Sequence, residues 1–192
     1  MVELRNGEEV SEPARVVVAD PPWQFDDKLP GRGRGAAKHY SVSHHSTIGS
    51  LVLPPIAKDA VLFLWRVAAM QQEALDVAKA WGFTVKGEMV WIKTTSKTDW
   101  LGSPRLAFGM GRQVRYCHET CLIATRGKAP PRVRSIRSVF FAPIGKHSAK
   151  PDTFYSIIEA MHDGPYLELF ARRHRIGWTC VGNELGTTLE VA

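Results

Sequence analysis

Apolar positions along this chain gather into short continuous runs separated by stretches of helical spacing. Val16-Val17-Val18-Ala19 is the first run, the pattern of a strand buried on both faces. Pro21 and Pro22 forbid its continuation because they remove ladder donors. Ala60 to Trp65 is a second such run. Met70, Ala74, Val77, Ala78 and Trp81 then recur at helical spacing, with Gly82 as a C-terminal stop. Phe83 to Lys93 alternates unevenly and predicts a third strand, and Cys121 to Thr125 a fourth. Pro151 suits the first position of a helix whose apolar face is Phe154, Ile157, Ile158 and Met161, ended by Asp163-Gly164. Tyr166 to Ala171 and Trp178 to Val181 predict two further strands. Residues 24–50 and 94–116 read as long polar loops with glycines, and residues 126–138 as a basic segment.

Strands alternating with amphipathic helices predict an α/β fold: a mostly parallel central sheet flanked by helices. Ligands of such sheets lie beyond the carboxyl ends of the strands, so motifs at strand ends carry the most functional weight. No internal repeat is visible. The length of 192 residues favours one domain over 1–192, with 1–14 as a short lead. Two long loops in a compact domain are expected to be functional.

Charge and cysteine content narrow the setting. The formal net charge of +6 suggests a polyanionic partner but says nothing of fold or chemistry. Three cysteines, Cys117, Cys121 and Cys180, argue against a disulfide framework. The N-terminus lacks a signal-peptide pattern, and no apolar run approaches the ~20 residues that cross a bilayer. The expectation is a soluble cytoplasmic protein with no membrane association.

The tetrapeptide Asp20-Pro21-Pro22-Trp23 at the end of the first strand is the densest chemical signal. An amino group on an adenine ring is a poor nucleophile, because its lone pair is delocalised into the ring. Acceptors placed on its two N–H bonds raise electron density at nitrogen and aim it, and a carboxylate with a backbone carbonyl supplies both. Proline presents carbonyls from a stiff backbone without a competing donor. An adjacent aromatic can stack on an extruded base. A proline-rich turn capped by an aromatic is the structural alternative.

Further motifs follow in fixed order: His118-Glu119-Thr120-Cys121-Leu122-Ile123-Ala124-Thr125-Arg126-Gly127, then His147-Ser148-Ala149-Lys150-Pro151-Asp152, Glu168-Leu169-Phe170-Ala171-Arg172, Gly177-Trp178 and Gly182-Asn183-Glu184. With the tetrapeptide, this series resembles the adenine-N6 methyltransferases related to the catalytic subunit of the mRNA adenosine methyltransferase, the MT-A70-like family. Its bacterial and phage members look closest. The resemblance implies a Rossmann-like methyltransferase fold with the catalytic motif before the cofactor motif, and S-adenosylmethionine as cofactor. It implies that Asp20, Pro21, Pro22 and Trp23 carry catalysis and bind the target base. Asp20, Lys150, Phe170, Arg172, His174, Arg175, Asn183 and Glu184 then correspond to the cofactor-binding positions. Lys150 would face the methionyl carboxylate as a point charge, and Asn183 and Glu184 would read the adenine and ribose. Taken without the resemblance, Lys150 reads as a solvated residue at a helix start, and Asn183-Glu184 as a turn closing the last strand. The segment after His174 is shorter than in eukaryotic members, which weakens the correspondence at Arg175. Many members carry an acidic residue ahead of the catalytic strand, and no residue of the lead 1–14 is assigned to that position.

The two loops supply candidate substrate contacts. Arg32, Arg34, Lys38, Arg105, Arg112 and Arg115 can meet phosphates, with Tyr40 or Trp100 stacking on bases. Lys93, at a strand end, faces either solvent or the site. Cys117, His118 and Cys121 lack the paired spacing of a zinc site, as do His39, His44 and His45, so no metal is expected. The expected partner is nucleic acid, DNA ahead of RNA, with a homodimer as the commonest assembly. Methylation of RNA, or a non-catalytic nucleic-acid-binding subunit, are the competing readings.

Overall fold

The computed structural model describes residues 12–23, 45–109, 111, 113–145, 149–187 and 189. The elements run β1 (Ala14–Ala19), α1 (His45–Gly49), β2 (Ile56–Arg66), α2 (Gln71–Ala80), β3 (Thr84–Thr98), β4 (Pro104–Leu106), β5 (His118–Arg126), β6 (Val139–Pro143), α3 (Asp152–Met161), β7 (Tyr166–Leu169) and β8 (Trp178–Val181), with a 3-10 turn at Asn183–Leu185. The strands form one eight-stranded sheet in the order β4-β3-β5-β2-β1-β7-β8, with β6 paired to β3 off that path.

The sheet is mixed. β2, β1, β7 and β8 are mutually parallel, and β6 is parallel to β3. β5 runs antiparallel to β2 and to β3, and β4 antiparallel to β3. The four parallel strands therefore end together at Arg66, Ala19, Leu169 and Val181. β5 begins beside them, because Thr120 pairs with Arg66, and β3 arrives at the same edge, because Ile92 pairs with His118. Residues from six strands converge on one end of the sheet.

Both faces are covered, which is why the central strands read as continuous apolar runs rather than alternating ones. Val17, Ala19, Leu62, Leu64, Leu122 and Ala124 pack against Ala74, Val77, Ala78 and Trp81 of the α2 side. Val16, Val18, Val61, Phe63, Trp65, Met89, Trp91 and Cys121 pack against Phe154, Tyr155 and Ile158 of α3. α2 stops where the sequence says it should. Gly82 adopts φ 78°, its N–H reaches the Lys79 carbonyl at 2.9 Å, and the Phe83 N–H reaches the Ala78 carbonyl at 2.9 Å. That paired closure satisfies two terminal carbonyls and needs a left-handed residue.

Several expectations change in detail. The third strand does not stop at Lys93 but continues to Thr98, since β-branched Thr94 and Thr98 pair with Leu106 and Pro104 of β4. The stretch 94–116 is therefore partly a hairpin, and α1 occupies the end of the stretch 24–50. β6 follows the basic segment and was hidden by it. Tyr166 to Leu169 is shorter than the expected strand, because Phe170 turns out of it at φ 62°. Pro151 also sits one place earlier than expected, capping α3 with extended backbone, so that Asp152 is the first helical residue.

Phe154 is the hub of the α3 side. It is fully buried and meets Phe63 at 6.2 Å, Trp65 at 4.7 Å, Phe140 at 6.3 Å and Tyr155 at 5.4 Å between ring centroids. Truncating it leaves a cavity among rigid rings, so Phe154→Ala is expected to cost about 4 kcal/mol. Urea unfolding of the two proteins measures the loss; a difference below about 1 kcal/mol would mean that the surrounding rings collapse into the gap.

Candidate active site

Asp20 follows β1 directly, where Pro21 and Pro22 end the ladder. The turn is closed by the Trp23 N–H, which donates to the Pro21 carbonyl at 2.9 Å. Trp23 itself is buried, and its indole N–H donates to the Trp65 carbonyl at 2.9 Å. The aromatic of the tetrapeptide thus locks the turn onto the end of β2, and, buried with its indole N–H bonded, it does not present the open ring face expected for stacking on an extruded base.

The Asp20 carboxylate meets a lysine from the other end of the chain. Lys150 Nζ lies 2.7 Å from Asp20 Oδ2 and 3.2 Å from Glu119 Oε2. Its side chain is only 8% exposed, and the ammonium stands 5.1 Å from the ring centre of Trp65. Glu119 also pairs with Lys93, whose ammonium stands 5.1 Å from the ring of Trp91. Trp65 and Trp91 pack edge to face at 6.4 Å. Two carboxylates and two ammoniums therefore alternate over a tryptophan floor, and the cluster is neutral.

Burial alone would push the Glu119 carboxyl up, but Lys150 and Lys93 outweigh it and hold it below its ordinary range. Burial pulls Lys150 down, yet Asp20 and Glu119 together raise it above its ordinary value. Cys121 lies beside this cluster, and burial pushes its thiol well up, which makes it a packing group rather than a nucleophile.

A second group gathers at the ends of β7 and β8. Phe170 leaves β7 in a left-handed conformation, a backbone state that costs a non-glycine residue about 1–3 kcal/mol and concentrates at functional sites. The Ala171 N–H then donates to the Val181 carbonyl at 2.9 Å. A Cβ at Gly182 would lie 2.1 Å from the Ala171 carbonyl oxygen, so only glycine lets the two segments touch. This contact brings Arg172 Nε to 3.8 Å from Glu184 Oε1. A cation and a carboxylate thus meet here, with exposed Asn183 and His174 close by along the chain. That donor set fits a ligand carrying hydroxyls, a heterocycle and an anionic group.

Arg175 is drawn the other way. It pairs with Asp152 at 2.9 Å and lies over the Tyr155 ring at 3.5 Å, while Arg173 also pairs with Asp152. Tyr155 in turn donates to Glu168 at 2.6 Å. Arg175 therefore braces the 170–175 segment against the start of α3, two residues from Lys150.

Of the candidate substrate contacts, Lys93 is in the ion cluster, while Arg105 and Arg115 are exposed on the neighbouring hairpin region. Arg32, Arg34, Lys38, Tyr40 and Arg112 lie outside the described residues, as do His39, His44 and His147. The residue not singled out from the sequence is Glu119. Its place two positions before buried Cys121, on the same strand face, was the available signal. Among the described residues no helix is long and apolar enough to cross a membrane.

A polar centre at the carboxyl ends of parallel strands, with a neutralised carboxylate turn on one side and a charged rim on the other, marks an α/β protein whose polar groups gather where such sheets hold their ligands. Residues 14–184 match the MT-A70 model, and the chain belongs to that family of adenine-N6 methyltransferases. It is 30% identical to the N(6)-adenosine-methyltransferase MT-A70-like protein of Drosophila melanogaster, over 88% of this chain and 26% of that protein. It is 28% identical to the catalytic subunit METTL3 of Homo sapiens, over 88% of this chain and 28% of that protein. It is 27% identical to the type II methyltransferase M.MunI of a Mycoplasma species, over 89% of this chain and 77% of that protein. The chain thus spans about a quarter of the length of the eukaryotic relatives and most of the length of the Mycoplasma one.

Glu119→Gln removes one of the two counter-charges on Lys150 and is expected to destabilise the protein by about 2 kcal/mol at neutral pH. The folded-state value of Glu119 lies below its ordinary 4.5, so its contribution is complete above that pH and fades as pH falls through the lowered value. The gap between variant and wild type, followed by denaturant midpoints from neutral pH downward, should therefore narrow in acid. A gap that stays constant would assign the loss to packing instead of charge.

Proposed function

We propose that this chain transfers a methyl group from S-adenosylmethionine to N6 of adenine in nucleic acid, with DNA as the substrate. The observation that carries the reading is the Asp20-Pro21-Pro22-Trp23 turn, fixed at the end of β1 by Trp23 and held through its carboxylate by buried Lys150. Family membership gives the chemistry its class. The resemblance to bacterial and phage members favours DNA, and the match over 77% of the Mycoplasma methyltransferase supports the same side.

The roles follow from the acceptors available. Lys150 occupies Asp20 Oδ2, which leaves Oδ1 as an acceptor for one amino N–H of the adenine. The Pro21 carbonyl has one lone pair on the Trp23 N–H and a second for the other amino hydrogen. Two acceptors fix the amino group and direct its lone pair, and positioning of this kind supplies most of the rate gain. In a duplex the base must first be extruded, at a few kcal/mol. The cofactor, when bound, supplies an electrophilic methyl group on a sulfonium centre. Arg172, His174, Asn183 and Glu184 would hold its ribose, adenine and carboxylate, with Phe170 shaping the rim. Lys150, with a donor beyond those on Asp20 and Glu119, would complete the carboxylate site. Arg175 acts on the same segment through Asp152. Arg32, Arg34, Lys38, Tyr40, Lys93, Arg105, Arg112 and Arg115 form the proposed nucleic-acid contacts.

Action on RNA is the second reading, favoured by the identity of 28–30% to relatives named as N(6)-adenosine-methyltransferases. A non-catalytic subunit is disfavoured because all four residues of the tetrapeptide are intact.

Purified protein incubated with labelled S-adenosylmethionine and matched DNA and RNA, each single- and double-stranded, tests the proposal when the digested nucleosides are identified by mass. N6-methyldeoxyadenosine is the expected product; label only in RNA would move the substrate, and no label in any polymer would overturn the reading. Asp20→Ala should lower turnover by at least about 1,000-fold while cofactor affinity by calorimetry changes little. A variant retaining a tenth of wild-type activity would remove Asp20 from the reaction.

A further inference from the structure

The described part of the hairpin region beside the ion cluster carries aromatic rings in the wrong place for a core. Trp100 is 90% exposed, Phe108 76% and Tyr116 44%. Solitary exposed apolar residues need no explanation, but Phe108 and Tyr116 are held by specific contacts. The Arg115 guanidinium lies 5.0 Å from the Phe108 ring. The His118 imidazole meets the Tyr116 ring edge to face at 6.4 Å. The Gly109 N–H donates to the Tyr116 carbonyl at 3.0 Å, joining the two short arms that carry the rings. A Cβ at Gly111 would lie 2.9 Å from the Tyr116 ring, so the glycine backbone supports that ring directly.

This strip is wired to the cluster through one residue. Lys93 accepts the Ala107 N–H at its carbonyl, 2.8 Å away, and donates its own N–H to the Cys117 carbonyl at 2.7 Å. Phe108 follows Ala107, Tyr116 precedes Cys117, and the Lys93 side chain pairs with Glu119. Only Cys117 and His118 separate Tyr116 from Glu119 along the chain, so the strip adjoins the ion cluster.

Charge selects the occupant. Between Trp100 and His118 the sequence holds Arg105, Arg112 and Arg115 and no acidic residue. A two-fold contact between copies of this chain would set arginines against arginines. Rings interleaved with arginines suit a polyanion that offers flat π-faces, and only unpaired bases do so, since duplex stacking hides both faces.

We propose that Phe108 and Tyr116, braced by Arg115 and His118, form a stacking platform for unpaired bases flanking the target adenine, so that the polymer is held there as a single strand. This rests on the methyl-transfer reading above and deepens it by naming the strand state of the substrate.

Fluorescence anisotropy with a labelled single-stranded oligonucleotide and its duplex tests the platform in the full chain. Wild type should bind the single strand about tenfold more tightly than the duplex, and Phe108→Ala and Tyr116→Ala should each weaken single-strand binding about tenfold. Phe108→Trp should restore it. Calorimetric affinity for S-adenosylmethionine should stay unchanged in all three, which certifies the fold. Unchanged single-strand affinity in both alanine variants would overturn the platform. So would variants that shift a sedimenting dimer to monomer without altering that affinity, which would make the strip a contact between copies. The binding readout needs no turnover: ring-dependent binding without methyl transfer would sink the proposed function and spare the platform. Normal transfer by both variants at limiting substrate would do the reverse.

Discussion

The buried ammonium of Lys150 is the constraint around which the sheet end is organised. An ammonium removed from water must be paired and hydrogen-bonded, or the fold loses several kcal/mol. Here Asp20 comes from the end of β1, Glu119 from the start of β5, and the Trp65 ring from the end of β2. Lys150 itself stands just before α3. One charge therefore ties three strands and a helix at a single point. Lys93 extends the tie to β3 and cancels the second carboxylate, which leaves the cluster neutral. The mixed topology is what makes this possible. The parallel strands deliver Asp20 at a carboxyl end, while antiparallel β5 delivers Glu119 at the beginning of a strand.

Trp65 serves both halves of the site. Its backbone carbonyl accepts the Trp23 indole N–H and holds the Asp20–Trp23 turn, while its ring underlies Lys150. Trp23 packs with the α2 side of the core and Trp65 with the α3 side, so the end of β2 is pinned from both faces. A turn fixed in this way holds the Asp20 carboxylate and the Pro21 carbonyl in place with little freedom to reorganise. The opposite rim is fixed by different means: a left-handed Phe170, and a glycine at 182 where no side chain has room.

Elements buried on both faces were legible from sequence. β1, β2, β5 and β8 announce themselves as apolar runs, and α2 by its spacing and its glycine stop. β6 was not, because Val139, Phe141 and Pro143 face outward while only Phe140 and Ala142 are buried, directly after five basic residues. The polar tail of β3 was hidden for a related reason: its pairing to β4 depends on backbone and β-branching rather than on burial. In the site, Asp20 and Trp23 stood out because four informative residues are contiguous. Glu119 did not, since its partners lie 26 and 31 positions away in the sequence and only strand register brings them together. Arg175 is the converse case: its position suggested the cofactor rim, and Asp152 with Tyr155 drew it to α3.

The same register argument explains why one lysine pair can serve two ends of the site without serving either alone. Lys93 and Lys150 share Glu119, so a change at one reaches the other through a single carboxylate. Lys150 continues to Asp20, and through Pro151 to Asp152 and the 172–175 segment. Lys93 continues through its backbone to Ala107 and Cys117, beside the exposed rings. Each link is a hydrogen bond or ion pair of ordinary strength, and the rigidity comes from their sharing atoms. A chain of this kind holds the hairpin, the carboxylate turn and the β7–β8 rim in one frame.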